Sequence, residues 1–530
     1  MKALLLGLLL FASGAQANVI QFLYIEAGEG SASGGHVGLQ LGEDVFHYQY
    51  ENALIRLFKH NAEAFRVNYQ LKENRTIQVA DIQVIDSVYD RINSHFKVKF
   101  LAQKQHLKQL QAVQQDKALL QALLASKLGK PIANNIEPDS LPQLFGAGLF
   151  YSDADLAVNK AFVSCDTSTS SQNILAELNS QIENRYGKAY LSERINILKQ
   201  SLTSLSPVAK ANPRYGFSEH YGDLLNGLLA LQVIQNQSPL AESACFQPKL
   251  ATLSLADKAI NQAKAFQQEL LQTALSLIKS NRPDWGYALF VTLARLVAIE
   301  HSIQTRQWTF LDDTDSREAA LPDGQLSLYA DVMQKQRQDD LKHLQEAASN
   351  FIDMLNGLER TYGNLEMAAN RYQQWLNGEH IGELRYRSEQ PLPKKSLEPS
   401  QFLDTDLSVA LLKSALQDKE SELQNLLATE YAGNAYHLLS KNCVNTLFAL
   451  IDESVSGQSG QLLGGLIDPA ATIVPFQAFD SVLETYRVVN NRVLPAYRQQ
   501  KLADLYQREV DSVVYARESN IFSSSLYKHN

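Results

Sequence analysis

From about residue 101 to about 430, nearly every segment repeats its apolar residues at intervals of three and four, the period of an α-helix. Strand-like text is confined to the first hundred residues. Such a chain does not read as all-β or as a regular alternation of strand and helix. It reads as a small strand-bearing unit joined to a large helical block, an α+β class.

The strand text is short and punctuated. VIQFLYI, 19 to 25, is an apolar strand, followed by the glycine-rich turn EAGEGSASGG, 26 to 35. In HVGLQLG, 36 to 42, Val37, Leu39 and Leu41 alternate with His36, Gly38 and Gln40, so the two sets face opposite ways. The turn GED leads into VFHYQYE, 45 to 51, and the two strands make a hairpin. RTIQVADIQV, 75 to 84, is a further strand, and 85 to 100 an amphipathic helix. Beyond it, 101 to 129, 171 to 203, 254 to 279, 284 to 304 and 325 to 377 read as helices, the last the longest. NRPDWG, 281 to 286, and LDDTDSREAALPDG, 311 to 324, break the block. RSEQPLPKKSLEPS, 387 to 400, is a charged, proline-rich linker, and helix resumes at 404 to 429.

The chain opens MKALLLGLLLFASGAQA, a lysine, a leucine run and small residues at Ala15 and Ala17. That pattern predicts a signal peptide over 1–17, cleavage after Ala17 and a mature chain in the periplasm. No later stretch reaches about 18 uninterrupted apolar residues, so no transmembrane helix is expected. The formal net charge of −9 gives no basic footprint, which argues against nucleic acid as a partner. Export permits disulfides, but three cysteines in 530 residues are few and odd in number. Cys165 can pair with Cys245 and leave Cys443 free. Cys443 can instead pair with either, or bridge to another molecule.

Cys443 stands in AYHLLSKNCVNTLFALID, 435 to 452. Leu447, Leu450 and Ile451 give a helical apolar face after it, and Asn442 is a suitable cap. A thiol in the first turn meets unpaired N–H groups and the positive end of the helix dipole, which favour the thiolate. A nucleophilic thiol needs an imidazole. Of eleven histidines, His60, His95, His106 and His343 lie in charged or polar helical text and read as solvated. His301 reads as a satisfied helix residue, His380 as a helix-end residue, and His437 points away from the thiol. His36 and His47, on paired strands, stand apart: one can act as base and the second can hold it. The bland alternative makes them polar strand residues. A metal site using both with Glu43 or Asp44 matches no strong ligand spacing, and no cofactor is expected. GEGSASGG lacks a phosphate-loop lysine and precedes a strand.

GGHVGLQLGEDVFHY, 34 to 48, followed far downstream by SKNCVNTLF, 440 to 448, resembles the circularly permuted papain-like fold of the NlpC/P60 superfamily, the branch with lecithin–retinol-acyltransferase-like enzymes. ENRTIQV, 73 to 79, and Tyr436 through Cys443 are similar to segments of the exported bacterial DUF4105 group. The resemblance implies Cys443 as nucleophile, His36 as base, His47 as orienting residue, and the Cys443 backbone N–H with Asn442 as oxyanion or orienting groups. It implies a catalytic domain in two halves, 18–100 and 404–530, the second with a C-terminal helical extension. A bundle-like helical insertion, 101–403, lies between them as lid, cleft wall or partner surface. The implied activity is amide or ester hydrolysis, or acyl transfer, on a peptidoglycan peptide, a protein or a lipid acyl group. The rival reading is a non-enzymatic envelope scaffold built on the helical block, with an inactive papain-like unit.

Overall fold

A computed structural model gives the structure of the protein and describes residues 17–27, 35–131, 140–151, 165–207, 215–241, 243–248, 250, 253–312, 320–321, 330–354, 356–381, 384–385, 393 and 395–514. Residues 1–16 of the expected leader, 28–34 of the glycine-rich turn, and parts of the segments 311–324 and 387–400 lie outside them. The architecture is α+β, with a six-stranded antiparallel sheet and several long helices. The chain divides into two compact units: Met1–Leu110 with Gln424–Asn530, and Gln111–Leu423. The divisions fall inside the helices Asp86–Lys127 and Val409–Asn434, each C-terminal of the expected bounds at 101 and 403.

The first unit is built on the sheet. Its strands are β1 (Ala17–Ile25), β2 (His36–Leu41), β3 (Asp44–Glu51), β4 (Leu54–Asn61), β5 (Ile77–Ile85) and β6 (Val488–Leu494). Their order is β6-β5-β1-β2-β3-β4. The sequence reading missed β4 and β6. LIRLFKHN was passed over, and the NN at the centre of VVNNRVL interrupts any alternation. The C-terminal segment read as helical thus carries an edge strand as well as α5 (Tyr497–Arg508).

Each sheet face has its own cover. Phe22, Val37, Leu39 and Phe46 pack against α2 (Asp86–Lys127), α3 (Cys443–Ser454) and α4 (Pro475–Thr485). Phe448 of α3 stacks on Phe22 at 5.4 Å. Leu23, Ile25, Val45 and Val79 pack instead against Ala62 and Phe65 of α1 (Ala62–Arg66) and Tyr69 of a π-helical turn, Val67–Lys72. Burial of large apolar side chains such as these contributes roughly 1.5–3 kcal/mol each.

The second unit is almost wholly helical. Its helices include Ser168–Tyr186, Tyr190–Thr203, Phe217–Asn236, Asp257–Leu277, Trp285–Thr305, Ala330–Asp353 and Leu358–Ile381 around one apolar core. The segment read as one helix over 325–377 breaks near Gly357, whose φ of +74° an L side chain rarely adopts. Trp285–Thr305 is long and apolar enough to cross a membrane, but 72% of its apolar window is buried inside the protein. Its Arg295 is buried and paired with Glu366. That is how a central core helix reads. Cys165 and Cys245 form a disulfide with Cα atoms 6.0 Å apart, and Cys443 is free.

Candidate functional site

Antiparallel pairing places His36 and His47 together. His36 opens β2 opposite Ile25, and His47 lies on β3 opposite Phe58 of β4. Gly35 delivers His36: its φ is +80°, and a Cβ there would stand 2.7 Å from the Tyr24 ring. His36 Nε2 and His47 Nδ1 are hydrogen-bonded at 2.8 Å. His36 is half-buried and His47 is fully buried.

The period of two puts both imidazoles on the face covered by α1 and the π-helical turn, not the face that α3 covers. The rings of Phe65 and Tyr69 lie 5.1 and 6.3 Å from that of His47, both near perpendicular. The Tyr69 ring stacks on His36 at 6.0 Å. His60, read from sequence as a solvated helical residue, is on β4; it is exposed, but its ring centroid is 5.0 Å from that of His47. Nε2 of His47 is buried and has no hydrogen-bond partner among the described residues. Nδ1 of His36 makes no hydrogen bond among the described residues.

Both imidazoles are held neutral. Burial, aided by the Arg75 guanidinium, pushes His36 down to about 4. Burial, then the neighbouring His36 and His60, drives His47 well below the ordinary range. Arg75 itself is buried at the end of β1, where its Nε donates to Glu26 O at 2.7 Å.

Cys443 approaches from the same end of the sheet. The start of β2 lies beside the β3–β4 turn, and Tyr436, seven residues before the cysteine, donates its N–H to Ala53 O in that turn. Asn442 then starts α3. Its Oδ1 accepts from Val444 N at 2.9 Å and Asn445 N at 3.1 Å, and Asn445 Oδ1 accepts from Asn442 N at 2.7 Å. This reciprocal capping box fixes the first turn. The Nδ2 hydrogens of Asn442 go to Leu438 O and Ile473 O. Asn442 therefore orients the turn and has no hydrogen left for an oxyanion. The Cys443 N–H has no oxygen partner among the described residues.

Burial pushes the Cys443 thiol up to about 11, although the N–H groups of Cys443 and Val444 pull the other way, as expected at a helix start. Desolvation outweighs the helix-start effect here. The thiol makes no hydrogen bond to either imidazole. Its charge would nonetheless reach the phenols of Tyr69 and Tyr436, both already raised chiefly by burial.

Sequence reading also passed over Tyr69 and Gln49. Gln49 Nε2 donates to the Tyr69 hydroxyl at 3.2 Å. Neither carries a spacing signal, because the residues meet only when α1 folds back over the sheet. A cleft of about 390 Å³ runs beside α3, lined by Tyr48, Lys99, Gln103, Lys441, Asn445 and Glu453 among others. Among the described residues no group of three or more His, Cys, Asp or Glu is arranged to hold a metal ion; Asp44 is paired with Lys59 at 2.7 Å. No family model, curated protein or solved structure matches the chain.

Proposed function

We propose that this chain is an exported thiol-dependent hydrolase or acyltransferase that works on an amide or ester through Cys443, His36 and His47. The observation that carries this reading is the 2.8 Å imidazole pair standing at the sheet end where the Cys443 helix begins. The order His36, His47, Asn442-Cys443 supports a permuted papain-like domain, with the Gln111–Leu423 unit as its helical insertion. The leader-like N-terminus supports a periplasmic setting, where a peptidoglycan peptide, a protein amide or a lipid acyl group is at hand.

At neutral pH the thiol is protonated and the imidazoles are neutral, so the reaction starts by general-base catalysis and not from a preformed ion pair. In the tautomer whose His36 Nε2–H donates to His47 Nδ1, the Nδ1 lone pair of His36 takes the thiol proton. The sulfur attacks the carbonyl carbon, a C–S bond forms, and the π electrons move to oxygen. The free Cys443 N–H stabilises that oxyanion. The carbonyl re-forms, the bond to the leaving group breaks, and the leaving group takes the proton from His36. Water or another acceptor then resolves the thioester. Thiol–imidazole bonds are often long in a resting enzyme and tighten with substrate bound.

The protonated thiol, without an imidazole bond, favours one rival: a scaffold with an inactive unit. One experiment separates the two. The full chain is treated with 4-nitrophenyl acetate at neutral pH, and acetylation of Cys443 is followed by nitrophenolate release and mass spectrometry. A burst confined to Cys443 is expected, slowed about 100-fold or more in His36→Ala. An equal release from Cys443→Ala would sink the enzyme reading.

A further inference from the structure

We propose that Tyr69 is the second oxyanion donor of the Cys443 site, giving its phenolic hydrogen to the carbonyl oxygen under attack. This rests on Cys443 being the nucleophile.

Three features of the fold converge on this residue. First, Tyr69 lies on a six-residue π-helical turn, Val67–Lys72. Such turns are rare, and they occur frequently at functional sites. Second, the ring is clamped. It stacks on His36 at 6.0 Å, packs on Phe65 at 4.6 Å, and carries the Arg75 guanidinium 5.5 Å from its centroid. The phenol therefore holds a fixed position beside the base. Third, its hydrogen is free. Gln49 Nε2 donates to the hydroxyl oxygen, so Gln49 cannot accept from it, and the hydroxyl donates to nothing among the described residues.

The site also needs such a group. Asn442 has both amide hydrogens engaged, and the Val444 N–H is held by Asn442 Oδ1. Cys443 N–H is then the one backbone donor left in the first turn. Tyr69 stands against His36, the base proposed for the Cys443 thiol.

The test compares two reactions of the same thiol in the full chain. Iodoacetamide is attacked at a saturated carbon: a C–S bond forms, iodide leaves, and no oxyanion develops. 4-Nitrophenyl acetate is attacked at a carbonyl, and an oxyanion must form. Tyr69→Phe should slow acetylation of Cys443 by about 10²- to 10³-fold. It should leave alkylation of Cys443 within about twofold of wild type. Gln49→Glu keeps the ring but supplies a carboxylate that captures the phenolic hydrogen, and the same split is expected. Unchanged acetylation in both variants overturns the proposal. Equal slowing of both reactions also overturns it, because Tyr69 would then act by positioning His36. If the wild-type ester reaction does not pass through Cys443, the nucleophile assignment fails first and the oxyanion role falls with it.

Discussion

At His47 the fold accepts a buried polar atom in return for a fixed neighbour. Its Nδ1 holds His36 while Nε2 has no hydrogen-bond partner among the described residues, at a cost of about 1–3 kcal/mol. Both imidazoles refuse protons that the unfolded chain takes up near pH 6.5. Stability contributed by these groups is therefore present above about pH 6.5 and is lost as pH falls toward about 4, where His36 protonates in the folded protein. Cys443 acts at the other end of the scale. The unfolded thiol ionises near pH 9 and the folded one near 11, so stability falls as pH rises between them. His47→Asn retains an acceptor for His36 but cannot titrate. Its melting temperature should decline less steeply than wild type between pH 6.5 and 4.5; parallel declines would show that His47 carries none of the acid sensitivity. The His36–His47 pair and the free Cys443 were legible because each is a chemically distinctive side chain in a patterned segment. Tyr69 and Gln49 were not, because a tyrosine and a glutamine twenty residues apart announce nothing until a third element stacks them.

Among the elements, the β3–β4 hairpin connects the imidazole strand to the cysteine segment. Its two turn residues, Asn52 and Ala53, have φ of +51° and +65°, the left-handed pair that a two-residue hairpin favours. Asparagine tolerates this, whereas alanine pays about 1 kcal/mol or more. Ala53 is exposed, and the contact it makes to Tyr436 is through its carbonyl, which any residue supplies. Ala53→Gly should therefore raise stability by up to about 1 kcal/mol, after the greater entropy of glycine in the unfolded chain is discounted. The check is the urea midpoint, and a lower midpoint would show that the alanine methyl is needed. The same turn explains why β4 escaped the sequence reading. ENAL lacks the glycine that marks such hairpins, so the text after residue 51 gave no sign of a returning strand. The β2–β3 turn, with Gly42 at φ +62°, was visible for the opposite reason.

On the scale of the whole molecule, the α+β class and the concentration of helix in the middle were readable from period alone. The points of division were not, because they fall within two continuous helices that carry no punctuation. The pairing of Cys165 with Cys245 was one choice among several until the coordinates put their Cα atoms 6.0 Å apart. That bond spans 80 residues, a loop whose closure in the unfolded chain is worth about 4.5 kcal/mol at most by chain entropy. Dithiothreitol should therefore lower the thermal stability of the helical unit. Cys443 is already free and should keep its rate of reaction with 4-nitrophenyl acetate at temperatures below the transition. A transition unmoved by reductant would count against the bond. The split layout also sets an order of events. Phe22, Leu39 and Phe46 leave the ribosome early, yet Phe448 and Phe479, which cover them, follow some four hundred residues later. Through most of its synthesis that oily side has only the start of α2 to cover it, and one of the earliest parts of the chain is among the last to be finished. Nascent chains of this design depend on something holding that side until the C-terminal stretch arrives.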